Sequence, residues 1–199
     1  MGLTGKYCAG KNYVARLLEE RGLPVLDVDT LGHQAIEVEK AAVIARFGAS
    51  VLGSGGVVDR KALGQRVFGK PPELAALEAI VHPAANRLTE AWIAARQERA
   101  CVINAALLHR SSVFSRLDCV IVVNASTPVR LFRAWKRDRL PLGALIRRFA
   151  SQKEFHTQYS SRKTDMYTVY NNGCSVFRTR RQRRMLEERI NTILSREGL

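Results

Sequence analysis

The sequence predicts an α/β fold, one sheet of five parallel strands flanked by helices, on three observations. Short, unbroken apolar runs recur at Met1–Thr4, Pro24–Val28, Cys101–Leu108, Cys119–Asn124 and, more weakly, Tyr167–Tyr170. Because they are continuous rather than alternating, they read as strands buried on both faces, as in parallel sheets. Helical patterns fall between the runs, the alternation that builds such a sheet. Residues 30–100 break that alternation and read as mostly helical, so a helical insertion is expected between the second and third strands. The 199 residues are 46% hydrophobic, ample for a buried core and too apolar for a mainly disordered chain.

The first strand is short and leads into Gly5-Lys6-Tyr7-Cys8-Ala9-Gly10-Lys11-Asn12. This segment fits the phosphate-loop pattern G-x-x-x-x-G-K, with a strand before it and a helix after it. The core is therefore expected to be of the P-loop NTPase type. In such a loop the backbone cradles phosphates, here from Cys8, Ala9, Gly10, Lys11, Asn12 and Tyr13, and the helix N-terminus adds positive potential. Lys11 is placed to reach the β- and γ-phosphates of ATP. The plain alternative is a strand-to-helix turn whose glycines serve geometry alone. Asn12 stands where Ser or Thr usually binds Mg²⁺; its carbonyl oxygen can ligate a hard cation, with different geometry, so it is the candidate metal ligand. Tyr7 and Cys8 are bulkier than the small residues common in such loops. Cys8 lies beside the helix N-terminus, a setting that can lower a thiol pKa; a passive small residue is the simpler reading.

The first helix carries the stripe Val14, Leu17 and Leu18. The second strand ends in Asp27 and Asp29, which strand alternation puts on one face. Carboxyl ends of strands face the ligand crevice in open α/β sheets. Asp29 is thus the candidate general base, able to accept a proton from a substrate hydroxyl; the alternative is an N-cap for a helix starting near Thr30. In the insertion, turns are expected at Gly53-Ser54-Gly55-Gly56 and Pro71-Pro72, and His82-Pro83 opens a long helix carrying Leu88, Trp92 and Ala95. Thr127-Pro128 reads as an N-cap followed by Pro at the first helical position. That helix carries Arg133 and Arg137, four apart on one face. Residues 139–164 are polar and Arg-rich, which suits a mobile flap containing Arg148. Arg133, Arg137 and Arg148 are the candidate phosphate clamps, since phosphoryl transfer is mostly positioning plus neutralisation of negative charge. Trp92 and Trp135 sit in helical stripes and are expected in the core. The run Arg178-Thr179-Arg180-Arg181-Gln182-Arg183-Arg184 opens a last helix that turns Met185, Leu186, Ile190, Ile193 and Leu194 toward the sheet and a solvated basic face outward.

The net charge is +14, and residues 110–199 carry 19 Lys and Arg against 7 Asp and Glu. Such a half wants an anionic partner, and composition alone does not choose which. No aromatics interleave with the arginines, so nucleic acid is not the expected partner. The four cysteines form no CxxC pair, which argues against a zinc or redox motif and for a reducing, cytoplasmic setting. No apolar run approaches ~18 residues and the N-terminus has no signal-peptide core, so no membrane association is expected.

In order along the chain stand Gly2-Leu3-Thr4-Gly5 with Gly10-Lys11; Pro24-Val25-Leu26-Asp27-Val28-Asp29; Phe47-Gly48 followed by Val57-Val58-Asp59-Arg60; Leu63 with Val67-Phe68; Leu77-Glu78 with His82-Pro83; Arg137-Asp138; Arg148-Phe149-Ala150-Ser151-Gln152; and Asn171-Asn172-Gly173. With these elements the chain resembles the dephospho-coenzyme A kinases over nearly its whole length. The resemblance implies three parts. Residues 1–29, 101–138 and 165–199 would form the nucleotide-binding core, 30–100 a helical subdomain for dephospho-coenzyme A, and 139–164 an Arg-rich lid over ATP. It implies transfer of the γ-phosphoryl of ATP, with Mg²⁺, to the ribose 3′-hydroxyl of dephospho-coenzyme A. It gives Asp29 the role of base, Lys11 and Arg137 catalytic roles, and His82, Leu107 and Leu108 contacts with the substrate.

The third strand departs from the family, which usually reads Asp-x-Pro-Leu-Leu-x-Glu where this chain has Asn104-Ala105-Ala106-Leu107-Leu108-His109-Arg110. With Asn12, two positions near the metal lose their usual chemistry. An active divergent kinase, a shifted substrate and a fold that has lost its activity all remain open to the sequence. So do a kinase for another nucleotide or nucleoside, a degenerate P-loop protein binding nucleic acid through its basic half, and the oligomeric state.

Overall fold

Each apolar run supplies a strand: β1 (Gly2–Gly5), β2 (Val25–Asp27), β3 (Val102–Asn104), β4 (Cys119–Asn124) and β5 (Asp165–Tyr170). The computed structural model describes residues 1–96, 98, 100–150, 164–173 and 180–199, with positions 142, 148 and 150 described by backbone alone. The strands form one parallel sheet in the order β2-β3-β1-β4-β5. β1 lies at the centre, its Leu3 beside Asn104 of β3 on one side and Ile121 of β4 on the other. The chain therefore reverses its direction of travel across the sheet at β1, the switch point where α/β sheets open a crevice at their carboxyl ends.

Burial explains the run lengths. The first five residues of β4, Cys119–Val123, are all buried, as is all of β3, whereas β5 buries only Val169 and forms the sheet edge. The weak apolar signal of β5 is the signal of an edge strand. β3 is shorter than its run because the chain turns at Ala106-Leu107, just after the Ala105 amide makes a last bond across to the Leu3 carbonyl of β1 at 3.0 Å. Helix α1 (Lys11–Glu19) buries Val14, Leu17 and Leu18, and α8 (Arg180–Arg196) buries Leu186, Ile190, Ile193 and Leu194; both stripes join Leu3, Ile121 and Val123 in one core. Met185 is 59% exposed, because Leu186, Ile190, Ile193 and Leu194 already form the stripe facing the sheet.

The chain divides into two compact units, residues 1–26 with 98–199, and Asp27–Gln97. The second unit contains α2 (Val28–Val38), α3 (Lys40–Phe47), α4 (Arg60–Val67) and α5 (Pro71–Ala94). Val43, Phe47, Val51, Val58, Leu63 and Val67 form its core, with Ala35, Val81, Ala84 and Ala85 a second cluster. Asp59 caps α4, accepting from the amides of Lys61 and Ala62 at 2.8 and 3.3 Å.

Three expectations are corrected here. The long helix begins at Pro71, not at His82-Pro83; Pro71 takes the first position, where a missing N–H costs nothing, and Pro83 lies inside the helix. Pro83 and Ala79, whose carbonyl it leaves without its helical donor, are both exposed, so the open carbonyl is not buried. Trp135 is 60% exposed rather than core, because its helix, α6 (Thr127–Asp138), turns Arg130 and Ala134 inward instead. The cap position of α6 is Ser126, one residue before Thr127, and its amide donates to Asn172 Oδ1 at 2.7 Å. Trp92 is partly buried, with the Arg96 guanidinium 3.4 Å from its ring centre.

Candidate active site

At the carboxyl end of β1, Gly5 brings the backbone so close to β4 that a Cβ there would stand 2.6 Å from the Val123 carbonyl oxygen. The Lys6 amide donates to that same carbonyl at 3.2 Å, and the Ala9 amide donates back to the Lys6 carbonyl at 2.9 Å, folding residues 6–9 into a turn. Cys8 takes the left-handed conformation (φ 59°) and so does Gly10 (φ 92°), where a Cβ would also meet Asn171 Nδ2 at 2.2 Å. Gly10 is the cap position of α1, and no side chain caps that helix. An uncapped first turn opening from a loop of this form is a ready anion site.

Helix α6 lays three arginines along this loop at positions i, i+3 and i+7. Arg130, 6% exposed, donates from Nε to the Tyr7 carbonyl at 2.8 Å. Arg133 makes four carbonyl bonds: Nη1 to Cys8 at 3.2 Å and Ala9 at 2.9 Å, Nη2 to Asn171 at 2.8 Å and Gly173 at 2.5 Å. The guanidinium of Arg137 lies 5.1 Å from the centre of the Tyr7 ring, and its Nε donates to Asp138 Oδ1 at 2.7 Å. Asn171, 3% exposed, donates from Nδ2 to the Ala9 carbonyl at 3.0 Å while its own amide bonds to the Asn124 carbonyl at 2.8 Å. The segment after β5 and the helix after β4 thus hold the loop from outside. Burial lowers the pKa of Arg130, and burial with the nearby Arg130 charge lowers that of Lys6. The loop is a crowded positive environment, which suits phosphate.

The sequence singled out Arg133 and Arg137, and both face the loop. Arg133 is engaged by carbonyls of the protein itself, which makes it a brace of the loop. Arg130 was missed; its signal was the same helical face, one turn nearer the N-terminus. Tyr13 turns its ring against the sheet core, under the Arg16 guanidinium at 5.8 Å. The Arg148 side chain lies outside the described residues, as does residue 151–163 of the expected lid; the earlier part of that lid is helix α7 (Leu142–Ala150), anchored by fully buried Leu145.

The two departures from the family pattern, Asn12 and Asn104, meet. Asn104 Nδ2 stands 3.4 Å from Asn12 Oδ1, and the buried Asn104 Oδ1 has no hydrogen-bond partner among the described residues. Two neutral amides occupy the place where a hydroxyl and a carboxylate were expected, and among the described residues no cluster of three His, Cys, Asp or Glu could hold a metal. Such oxygens fit a hard cation that brings its own phosphate and water ligands, not one caged by protein.

In the unit Asp27–Gln97, α2 begins at Val28, so Asp27 and Asp29 do not share a strand face. Asp27 is the cap, its Oδ1 accepting from the Asp29 amide at 3.0 Å, and Asp29 lies in the first turn. One turn on, His33 Nδ1 is 2.9 Å from Arg60 Nη1. His82 is exposed in mid-helix, where it cannot cap α5. Of the two leucines expected at the substrate, Leu107 is 50% exposed but Leu108 is fully buried. A Cβ on Gly2 would stand 2.6 Å from Leu108 Cδ2, so Leu108 is a core residue under β1. Burial and the adjacent Arg110 lower the His109 pKa.

The family model for dephospho-CoA kinase matches residues 1–190. A dephospho-CoA kinase of Treponema pallidum is 31% identical over 209 aligned residues, covering 100% of this chain and 95% of that protein. One from Anaeromyxobacter dehalogenans is 42% identical over 158 residues, 76% of this chain and 75% of that protein. A crystal structure from Thermus thermophilus superposes with a TM-score of 0.73 at 29% identity, over 98% of this chain and 95% of that one. The fold is also that of a dephospho-CoA kinase from Campylobacter jejuni, with a TM-score of 0.70 at 22% identity over 100% and 98% of the two chains.

Proposed function

The chain belongs to the dephospho-CoA kinase family, and from that premise we propose how its residues divide the work of the family's reaction. The activity is ATP-dependent phosphorylation of dephospho-CoA, the last step of CoA biosynthesis. The observation that carries the assignment of residues is the loop Gly5–Asn12, opening onto the uncapped N-terminus of α1 at the sheet's switch point, with the arginines of α6 beside it.

In this reading the backbone from Cys8 to Tyr13 receives the β- and γ-phosphates, and Lys11 balances their charge. The ribose 3′-oxygen attacks the γ-phosphorus, the bond from that phosphorus to the bridging oxygen of ADP breaks, and the hydroxyl proton passes to Asp29. Arg137 meets the charge that spreads over the transferring oxygens. Arg133 holds the loop in shape and Arg148 acts from the lid. The helical unit receives dephospho-CoA, with His82 and Leu107 on its path. Mg²⁺ bound with the nucleotide would neutralise phosphate charge; Asn12 and Asn104 would touch it through neutral oxygens only. Among the described residues no helix is long and apolar enough to cross a membrane. The basic last helix serves packing, not nucleic acid.

The test is chromatographic separation of products from purified protein with Mg-ATP and dephospho-CoA, beside Lys11→Ala and Asp29→Asn. Matched ADP and CoA are expected, with kcat lower by about 10²-fold or more in each variant, the scale of charge-stabilising and general-base contributions. ADP without CoA would overturn the substrate, and normal turnover in Asp29→Asn would remove Asp29 as the base.

A further inference from the structure

We propose that Tyr7 is a positioning residue for the reaction, holding the Arg137 guanidinium over the phosphate loop. The inference rests on the reading above that Arg137 acts on the transferring phosphate. In a loop of this pattern a tyrosine at position 7 is bulky, and the structure engages every part of it. Its ring lies under the Arg137 guanidinium, 5.1 Å from centroid to carbon. Its hydroxyl donates to Asp138 Oδ2, while Asp138 Oδ1 accepts from Arg137 Nε at 2.7 Å. Its carbonyl accepts from Arg130 Nε at 2.8 Å.

Consecutive residues on a helix do not face each other. Asp138 therefore needs a reason to turn back on Arg137, and the tyrosine hydroxyl supplies it by donating to the same carboxylate, whose Oδ2 also accepts from Arg137 Nη2 at 3.3 Å. Arg137 stands in the last turn of α6, with its side chain 61% exposed. Left to itself, such a side chain samples many rotamers. Stacked on a ring and pinned by a carboxylate, it keeps one. The other edge of the Tyr7 ring meets Phe149 of α7, centroids 5.7 Å apart at 83°, and Arg130 lies 4.7 Å over Phe149. The order Arg137, Tyr7, Phe149, Arg130 ties the loop to two helices by a pair of rings flanked by two cations, an arrangement favourable to both.

The experiment is a double-mutant cycle on kcat in the full-length enzyme, with KM for ATP followed in parallel. Arg137→Ala is expected to lower kcat by about 10²-fold. Tyr7→Phe keeps the ring and the fold but removes the hydroxyl's bond to Asp138; it is expected to lower kcat about 3–10-fold, the range of coupled neighbours, and leave KM for ATP within about two-fold. In the Arg137→Ala background Tyr7→Phe is expected to change nothing further. The same fold-loss from Tyr7→Phe in both backgrounds would overturn the positioning role. A normal kcat in Arg137→Ala would instead overturn the role of Arg137 itself, which separates the two failures. Tyr7→Trp, which keeps a ring for the guanidinium to stack on, should recover more activity than Tyr7→Ala; equal activity would also contradict the proposal.

Discussion

Two helices carry much of the arginine in this chain, and they use it in opposite ways. In α8, Arg183 and Arg184 each bond to a glutamate one turn on, Glu187 and Glu188, at 2.6 and 2.7 Å. Those pairs are exposed, and Arg183 also stands 4.0 Å from Glu20, just past α1. In α6 no glutamate follows Arg130 or Arg133 by four residues; Ala134 and Arg137 stand there instead. With no glutamate one turn on, these arginines reach across to the carbonyls of the phosphate loop. Arginine content alone marks no site. The residue one turn on helps decide where an arginine's bonds go, and in α6 they go to the carbonyls of the phosphate loop.

Breaking the α6 side of the comparison should have the largest effect. Arg133→Ala removes four bonds to carbonyls, two of them in the loop. A loss of about 2–4 kcal/mol of stability by denaturant unfolding is expected, along with loss of ATP binding. Arg133→Lys should not rescue it, because one ammonium lacks the planar fork that bridges two carbonyls on each side. On the α8 side, the double variant Arg183→Ala/Arg184→Ala should leave ATP binding, turnover and the thermal midpoint unchanged, since exposed i,i+4 pairs contribute little. Loss of turnover there would mean that the basic helix reaches the substrate.

The smallest effect sharpens the structural role of α8 and the turn after it, through pH. Glu197, just past α8, accepts from Tyr167 at 2.7 Å beneath β4. Burial, with help from Glu197, pushes the Cys119 thiol up to about 12 from 9.0. In the unfolded chain the thiol ionises first, so as pH rises the unfolded state loses its proton while the native state keeps it. The stability held by the neutral thiol is complete below pH 9.0 and is lost between 9.0 and about 12. Cys119→Ala should show a shallower fall of thermal midpoint across that range than the parent protein.

Much of this was legible in the sequence, for reasons that differ by element. Buried parallel strands announce themselves as unbroken apolar runs, so β4 is readable to the residue, and the edge strand β5 is faint because one buried valine is all it needs. The loop was legible because glycine geometry and lysine chemistry fix a spacing. Three things were not. A proline inside a helix reads as a helix start, so Pro83 displaced Pro71. An aspartate that caps a helix reads as the last residue of a strand, so Asp27 and Asp29 were paired on one face. Trp135 read as core because apolarity predicts burial only when nothing else claims the inward face, and in α6 arginines claimed it. Within the site, Arg130 needed only the helical period to be found, whereas the meeting of Asn12 with Asn104 depends on the first turn of α1 lying beside the end of β3 and is invisible in one dimension.

The most direct test of the account is titration of ATP, by calorimetry, into the parent protein, Arg133→Ala and Arg183→Ala/Arg184→Ala under one buffer and salt condition. The account predicts that binding is lost in Arg133→Ala and unchanged in the α8 double variant. Unchanged ATP binding in folded Arg133→Ala, or its loss in the α8 variant, would contradict the claim that the arginines of α6 build the nucleotide site.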